Sequence, residues 1–151
     1  MLQSSDMSQA FAFADVRISL LEGWADVTDD LPEGTPPTLA KPEGVGALQF
    51  SVAKYRAGAR PNISQDDLEA LLVEFAESRA LGPASDLERG QGPSQRVSAT
   101  FFREEDLVRV WYLTNGQDVA LVTYVGPAAA SPVSLSELAE ANAMVGSIAF
   151  D

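Results

Sequence analysis

The 151-residue chain contains neither cysteine nor histidine. Without cysteine it can form no disulfide, no thiol nucleophile and no thiolate metal site. Without histidine it lacks the usual general base near pH 7 and the commonest metal ligand. Ser-His-Asp and Cys-His catalysis and histidine-ligated zinc chemistry are therefore excluded. An enzyme made from this chain would have to use carboxylates, tyrosine, lysine or a magnesium-type site.

Basic residues are also scarce. Ten Lys and Arg stand against 22 Asp and Glu, and the formal charge is -12. Nucleic-acid binding depends on basic side chains that displace counterions from phosphates, so this balance argues against a nucleic-acid partner. Anionic membrane surfaces are disfavoured for the same reason. A protein partner with a basic surface suits the charge best.

Long apolar runs are absent as well. No stretch approaches the ~18 apolar residues that a membrane-spanning helix needs. Residues 1–14 carry no Lys or Arg, so they do not resemble a secretory signal, and we expect a cytoplasmic protein. Arginine outnumbers lysine eight to two and there are 22 alanines, a composition typical of high-GC bacterial genomes.

The length suits one domain, because a chain of this size buries roughly 70% of the surface that its unfolded form exposes. We expect residues 1–10 to be disordered or extended and residues 11–151 to form a single α+β domain. The hydrophobic pattern predicts an antiparallel sheet of about five to six strands with two main helices. The clearest strands cover 16–20, 47–55, 97–103, 107–114 and 118–125.

Three features of these strands and their turns bear on fold or function. Residues 107–113 are apolar on both faces except at Arg109, so this strand is either covered on both sides or presents one face to a partner. Asn115-Gly116 predicts a type I′ hairpin turn, because both residues accept a positive φ. Glu104, Glu105 and Asp106 are consecutive, which is typical of a turn and not of a general acid and base across a cleft.

Serine–acid spacings predict where the helices begin. Ser64 with Asp67 opens the first helix, and a left-handed cap at Gly82 ends it. Its buried stripe is predicted to be Leu68, Leu71, Leu72 and Phe75. Ser134 with Glu137 is predicted to open the second helix. Its apolar face is predicted to comprise Leu135, Leu138, Ala141 or Asn142, and Val145.

Residues 22–33, EGWADVTDDLPE, hold five carboxylates and no basic residue. This acidic loop could meet a basic partner, or it could be a solvated loop of an acidic protein. A calcium loop would alternate Asp and Asn, which this segment does not, so we expect no metal site. We predict partner binding through Asp26, Asp29, Asp30 and Glu33, with Trp24 as an apolar anchor.

No other motif supplies a cofactor site. Gly44-Val-Gly46 precedes a strand, which is the wrong context for a dinucleotide-binding motif. No glycine-rich loop precedes a helix at the spacing of a phosphate site. We therefore predict no catalytic residue, no cofactor and no metal.

The order of elements resembles the PsbP-like α/β/α sandwich over roughly residues 11–151. The likeness rests on the following features: Gly23-Trp24 after the first strand, the strand 47–55, a helix opened at Ile63-Ser64, a three-strand meander and the ending Gly146-Ser-Ile-Ala-Phe150. The resemblance implies a scaffold whose members mostly bind other proteins. Bacterial relatives include Eag-type chaperones of type VI secretion effectors, and small acidic immunity proteins have a similar appearance.

The leading hypothesis is a non-catalytic bacterial immunity protein that binds and occludes a cognate toxin effector through an acidic surface. One alternative is an Eag-like chaperone that shields an apolar effector segment. The chaperones carry Gly-His-x-Ala before the meander, where this chain has Ser94-Gln-Arg-Val-Ser-Ala99. A second alternative is a carboxylate-dependent enzyme or small-ligand binder, which predicts a deep pocket with convergent carboxylates.

Overall fold

The computed structural model describes residues 8–54, 62–129 and 131–150. The strands in these ranges are β1 (Ser8–Phe13), β2 (Val16–Leu21), β3 (Ala25–Asp26), β4 (Thr38–Ala40), β5 (Ala47–Ala53), β6 (Ser85–Gln91), β7 (Gln95–Arg103), β8 (Asp106–Thr114), β9 (Val119–Pro127) and β10 (Ala149–Phe150). The helices are α1 (Gln65–Ser78) and α2 (Pro132–Gly146). Neither described helix has the length and apolar character needed to cross a membrane. Residues 1–7, the predicted strand end at Tyr55 and Asp151 lie outside the described residues.

The strands form two antiparallel sheets. The larger has the order β3-β4-β5-β9-β8-β7-β6, and the smaller has the order β1-β2-β10. The meander β7–β8–β9 lies within the larger sheet, with Ser98 opposite Trp111 and Trp111 opposite Val122. The α+β class with an antiparallel sheet and two helices is confirmed. The larger sheet has seven strands where about five to six were expected, because β3, β4 and β6 join four of the clearest predicted strands. The predicted strand 16–20 belongs to the smaller sheet.

Each face of the larger sheet carries its own core. On one face α1 packs on β7 and β8, and Leu68 and Leu72 meet Val97 and Val110. On the other face α2 and the smaller sheet cover a second core that includes Trp111, Val122 and Tyr124. Because side chains alternate between faces along a strand, β8 contributes to both cores. Its two apolar faces are therefore explained by burial on both sides.

The start of α1 is as predicted, but its end is not. Ser64 Oγ accepts a hydrogen bond from Asp67 N at 3.3 Å, and Asp67 Oδ2 accepts one from Ser64 N at 2.9 Å. The left-handed residue that caps the helix is Ala80, with φ +53°; Gly82 is also left-handed, with φ +84°, but lies two residues further on. Ala80 N donates to Glu77 O and Leu81 N donates to Ala76 O, which is a Schellman motif. The helix therefore ends earlier than the Gly82-Pro83 pair predicts.

α2 begins three residues before the predicted position. Ser131 is the N-cap: its hydroxyl accepts a hydrogen bond from Ser134 N, while Ser134 Oγ accepts one from Ser131 N. Pro132 occupies the first helical position, where its missing N–H costs no hydrogen bond. The predicted opening at Ser134 and Glu137 is therefore wrong, and Glu137 lies inside the helix.

The shifted start also changes which side of α2 is buried. Leu135 was predicted on the apolar face but is 58% exposed. Met144 was not predicted there but is fully buried. Ala141 and Val145 are buried as predicted, and Leu138 packs against the same core. The apolar face therefore lies towards the second half of the helix.

One of the two turns predicted within the meander differs from its prediction. At Asn115-Gly116 only the glycine has a positive φ, and Asn115 Oδ1 accepts hydrogen bonds from Gln117 N and Asp118 N across a four-residue loop. The predicted type I′ turn is therefore wrong at this site. Two consecutive positive φ values occur instead at Ala14 and Asp15, between β1 and β2. The turn at Glu104 and Glu105, by contrast, is confirmed.

Candidate functional site

The acidic loop crosses from β2 to β4 at the β3 edge of the larger sheet. It contains β3 and a short 3-10 helix, Thr28–Asp30. The structure exposes four of the five predicted binding residues to solvent: Asp26, Asp29, Asp30 and Glu33. In the described part of the chain, none of these four forms a salt bridge. The loop therefore presents one sign of charge to solvent.

The loop is held in place by hydrogen bonds at its centre. Asp26 Oδ1 accepts hydrogen bonds from Thr28 N at 3.0 Å and Thr28 Oγ1 at 2.7 Å. Thr38 N donates to Thr28 Oγ1 at 2.8 Å, and Val27 N donates to Thr38 O at 3.0 Å. These bonds tie the loop to β4 and fix the backbone that carries Asp29 and Asp30.

Trp24 lies inside the core and not on the loop surface. Its ring is 4% exposed, and its Nε1 donates a 2.8 Å hydrogen bond to Glu140 Oε1 on α2. Lys41 Nζ lies 3.1 Å from the same oxygen. An anchor for a partner needs an exposed ring, whereas the Trp24 ring is buried in the core. In this position Trp24 supports the loop by joining its start to α2.

A cleft of about 540 Å³ opens beside the acidic loop, between the segment 41–46 and the first turns of α2. It is lined by Gly23, Lys41, Pro42, Glu43, Gly44, Pro132, Val133, Ser136 and Glu137. Val133 on its wall is 54% exposed, and Val45, which follows Gly44, is 45% exposed.

The floor of the cleft holds a buried carboxylate. Glu137 is 2% exposed, and its Oε1 accepts hydrogen bonds from Gly46 N at 2.7 Å and Tyr124 Oη at 2.8 Å. Its Oε2 accepts one from Val45 N at 3.1 Å. A Cβ at Gly46 would lie 2.5 Å from the Val125 carbonyl oxygen, so only glycine allows this approach. Glu137 therefore ties the segment 41–46 to α2 and to the sheet.

Tyr124 provides the neutral partner of this carboxylate. Burial raises the pKa of Tyr124 above its ordinary value, and the hydrogen bond to Glu137 and the charge of that carboxylate raise it further. The phenol thus stays protonated and keeps donating to Glu137. With three donors on its two oxygens, Glu137 links α2 to Val45, Gly46 and β9.

The sequence patterns do not predict four residues that lie near the acidic loop: Glu137, Glu140, Lys41 and Tyr124. The one signal that points to Glu137 is Pro132, because a proline at the first helical position moves Glu137 out of the first turn. Over the described ranges, no three acidic side chains converge closely enough to hold a metal ion.

No family model matches the sequence, and no curated protein matches it. Solved structures do. A crystal structure from Bacteroides thetaiotaomicron VPI-5482 matches 96% of this chain with a TM-score of 0.62 and 14% identity. This chain spans about half of that protein, 48%. The solution structure of cyanobacterial PsbP (CyanoP) from Synechocystis sp. PCC 6803 matches with a TM-score of 0.56 and 12% identity, over 96% of this chain and 93% of that one. The fold is PsbP-like. At these identities the likeness concerns the fold alone.

Proposed function

We propose that this chain is a non-catalytic protein-binding domain, a bacterial immunity protein that occludes a cognate toxin effector. The acidic loop is the binding surface, and the partner carries a basic one. The observation that carries this proposal is the exposure of Asp26, Asp29, Asp30 and Glu33 on a loop tied to β4 and α2. A cytoplasmic location and a type VI secretion context belong to the same proposal.

The fixed backbone of the loop supports this role. A preorganised surface loses less conformational entropy on binding than a mobile one. A cluster of one sign of charge also steers an oppositely charged partner and raises its association rate. The exposed Val133 in the neighbouring cleft, and the exposed Val45 next to Gly44, supply apolar area that charge alone does not.

The two alternatives receive less support. The chaperone role depends on an apolar sheet face open to a partner, whereas β8 is covered on both faces. A carboxylate enzyme depends on a carboxylate free to exchange protons with a ligand, whereas Glu137 accepts three hydrogen bonds from the protein itself.

Protection from the product of an adjacent gene tests the proposal. The full chain is co-expressed with each adjacent gene product, and growth and the dissociation constant of the purified pair are measured. We expect the wild type to protect and the Asp29→Lys/Asp30→Lys variant to lose protection. Glu104→Lys/Glu105→Lys makes the same charge change in a distant exposed turn and should still protect. Failure of every adjacent product to bind, or full protection by the loop variant, overturns the proposal.

A further inference from the structure

A groove runs between α1 and β6, the outer strand at the edge opposite β3. α1 packs on β7 and β8 and leaves β6 largely exposed. The groove has an apolar part of about 330 Å³ and an acidic part of about 520 Å³, and Val73 and Glu77 line both. The carboxylates from Asp66 to Glu77 extend over about 16 Å of helix.

The apolar part is an open pocket with a buried hydrophobic floor. Phe101 and Leu72 are 1% and 2% exposed, while Val73 at the rim is 47% exposed. The remaining lining consists of small residues and one acid: Ala76, Glu77, Ala80, Gly82 and Ala84. A space of this volume accepts one large apolar side chain.

The acidic part sets the charge of the occupant. Arg89 is the one basic residue among its lining residues, and its Nη2 lies 2.7 Å from Asp66 and 3.0 Å from Glu69. Glu74 and Glu77 form neither a salt bridge nor a side-chain hydrogen bond within the described ranges. Two uncompensated carboxylates therefore stand beside the apolar pocket.

Basic residues occur at the other end of α1. Arg79 lies over the Phe75 ring, and Arg103 Nη1 donates to Arg79 O at 3.2 Å. Neither arginine is among the residues that line the groove, so the groove itself is acidic along the helix.

We infer that this groove binds a basic segment of a protein partner. One large apolar side chain of the segment fills the pocket above Phe101, and neighbouring Lys or Arg residues pair with Glu74 and Glu77. An acidic segment would meet repulsion from the same carboxylates. The inference goes beyond the acidic loop and does not depend on it, because β3 and β6 are at opposite edges of the sheet.

A peptide titration of the isotope-labelled full chain tests this inference. The probes are ten-residue synthetic peptides with one Phe or Leu and three Lys at varied spacing, and a matched set with Glu in place of Lys. We expect saturable NMR shifts at Val73, Ala76 and Ala84, and binding at least about tenfold tighter for the basic set. If no basic peptide saturates the protein at millimolar concentration, or both sets bind equally, the inference is wrong.

Variants separate the groove from the acidic loop. Ala84→Trp fills the apolar pocket, and Glu74→Lys/Glu77→Lys reverses the flanking charge; all three positions are exposed, so the fold should be kept. We expect each variant to weaken peptide binding by about tenfold or more. Asp29→Lys/Asp30→Lys should leave it unchanged. Loss of binding in the loop variant alone would instead assign the peptide to the acidic loop.

Discussion

Tyr124 and Glu137 join the larger sheet to α2. The phenol on β9 donates a 2.8 Å hydrogen bond to Glu137 Oε1, which also accepts from Gly46 N. Both side chains are almost fully buried. This pair fixes the segment 41–46, and with it one wall of the cleft beside the acidic loop.

Removing the Tyr124 hydroxyl should destabilise the protein. A hydrogen bond to a charged group contributes about 1.5–3 kcal/mol, so we expect Tyr124→Phe to lower the free energy of unfolding by that amount. Tyr112→Phe is the matched control, because the Tyr112 hydroxyl has no hydrogen bond within the described ranges. Urea denaturation measures both. Equal stability losses in the two variants would show that the Tyr124–Glu137 bond contributes little.

The same pair predicts a pH dependence. Burial and Glu137 raise the pKa of Tyr124, so the folded protein keeps this proton where tyrosine in the unfolded chain loses it, above about pH 10. The unfolded state then binds fewer protons, and stability falls as pH rises. We expect the stability difference between wild type and Tyr124→Phe to be constant from pH 7 to 9 and to shrink above pH 10. A difference that persists unchanged at pH 11 would contradict this.

The end of α1 offers a substitution that should stabilise. Ala80 holds a left-handed conformation that costs a non-glycine residue roughly 1 kcal/mol, so Ala80→Gly should raise the free energy of unfolding by up to about that amount. Ala70→Gly makes the same exchange inside the exposed face of the helix and should lower it by about 1 kcal/mol. Thermal denaturation distinguishes the two. The same sign for both substitutions would refute the left-handed cap.

Arg109 is the buried cation of the sheet. It is 4% exposed and donates to Thr100 Oγ1 at 2.8 Å, Ser98 Oγ at 2.7 Å and Glu88 Oε1 at 2.9 Å. Arg109→Ala leaves two buried hydroxyls without this donor and opens a cavity, so we expect a loss of about 2–4 kcal/mol.

Glu88→Gln tests the ionic part of the Arg109 contacts. The Glu88 side chain is 68% exposed, so solvent screens the ion pair and we expect a loss below about 1 kcal/mol. Chemical denaturation gives the free energy of unfolding of Arg109→Ala and of Glu88→Gln, and so compares the two losses. A larger loss from Glu88→Gln than from Arg109→Ala would mean that charge, and not burial, holds Arg109.

Local signals in the sequence identified most elements, and they failed where two equivalent signals competed. Ser64 and Asp67 gave the start of α1 because no second serine–acid pair stood nearby. For α2, Ser134 with Glu137 fitted the capping pattern, yet Ser131 before Pro132 forms the cap. Because of that three-residue shift the burial of Glu137 was not predicted, since a carboxylate assigned to a helix cap is expected at the surface.

The positions of Trp24 and of the turns depend on tertiary contacts that no local pattern contains. Trp24 reaches Glu140, which lies 116 residues further along the chain. The β1–β2 turn has positive φ at Ala14 and Asp15 because Phe13 pairs with Val16, and this register leaves two residues to reverse the chain. Strand pairing can thus impose a conformation that turn composition does not favour.

Trp24 should strengthen partner binding indirectly, because it holds the acidic loop in position. Trp24→Phe removes the hydrogen bond to Glu140 without changing any charge, and we expect it to cost about 1–2 kcal/mol of stability. Faster dissociation of the partner, with an unchanged association rate, should accompany that loss. Lys41→Met removes the half-exposed ion pair to the same oxygen and should have a smaller effect. An association rate that falls with Trp24→Phe would argue against a positioning role.

The association rate of the chain with the adjacent-gene product that it binds, measured by stopped flow from low to physiological salt, tests the central claim most directly. If the acidic loop captures a basic partner, the wild-type rate falls steeply with salt, and Asp29→Lys/Asp30→Lys lowers the low-salt rate by about tenfold or more. Glu104→Lys/Glu105→Lys should have a much smaller effect. Equal rates and equal salt dependence for the wild type and the loop variant would contradict the account.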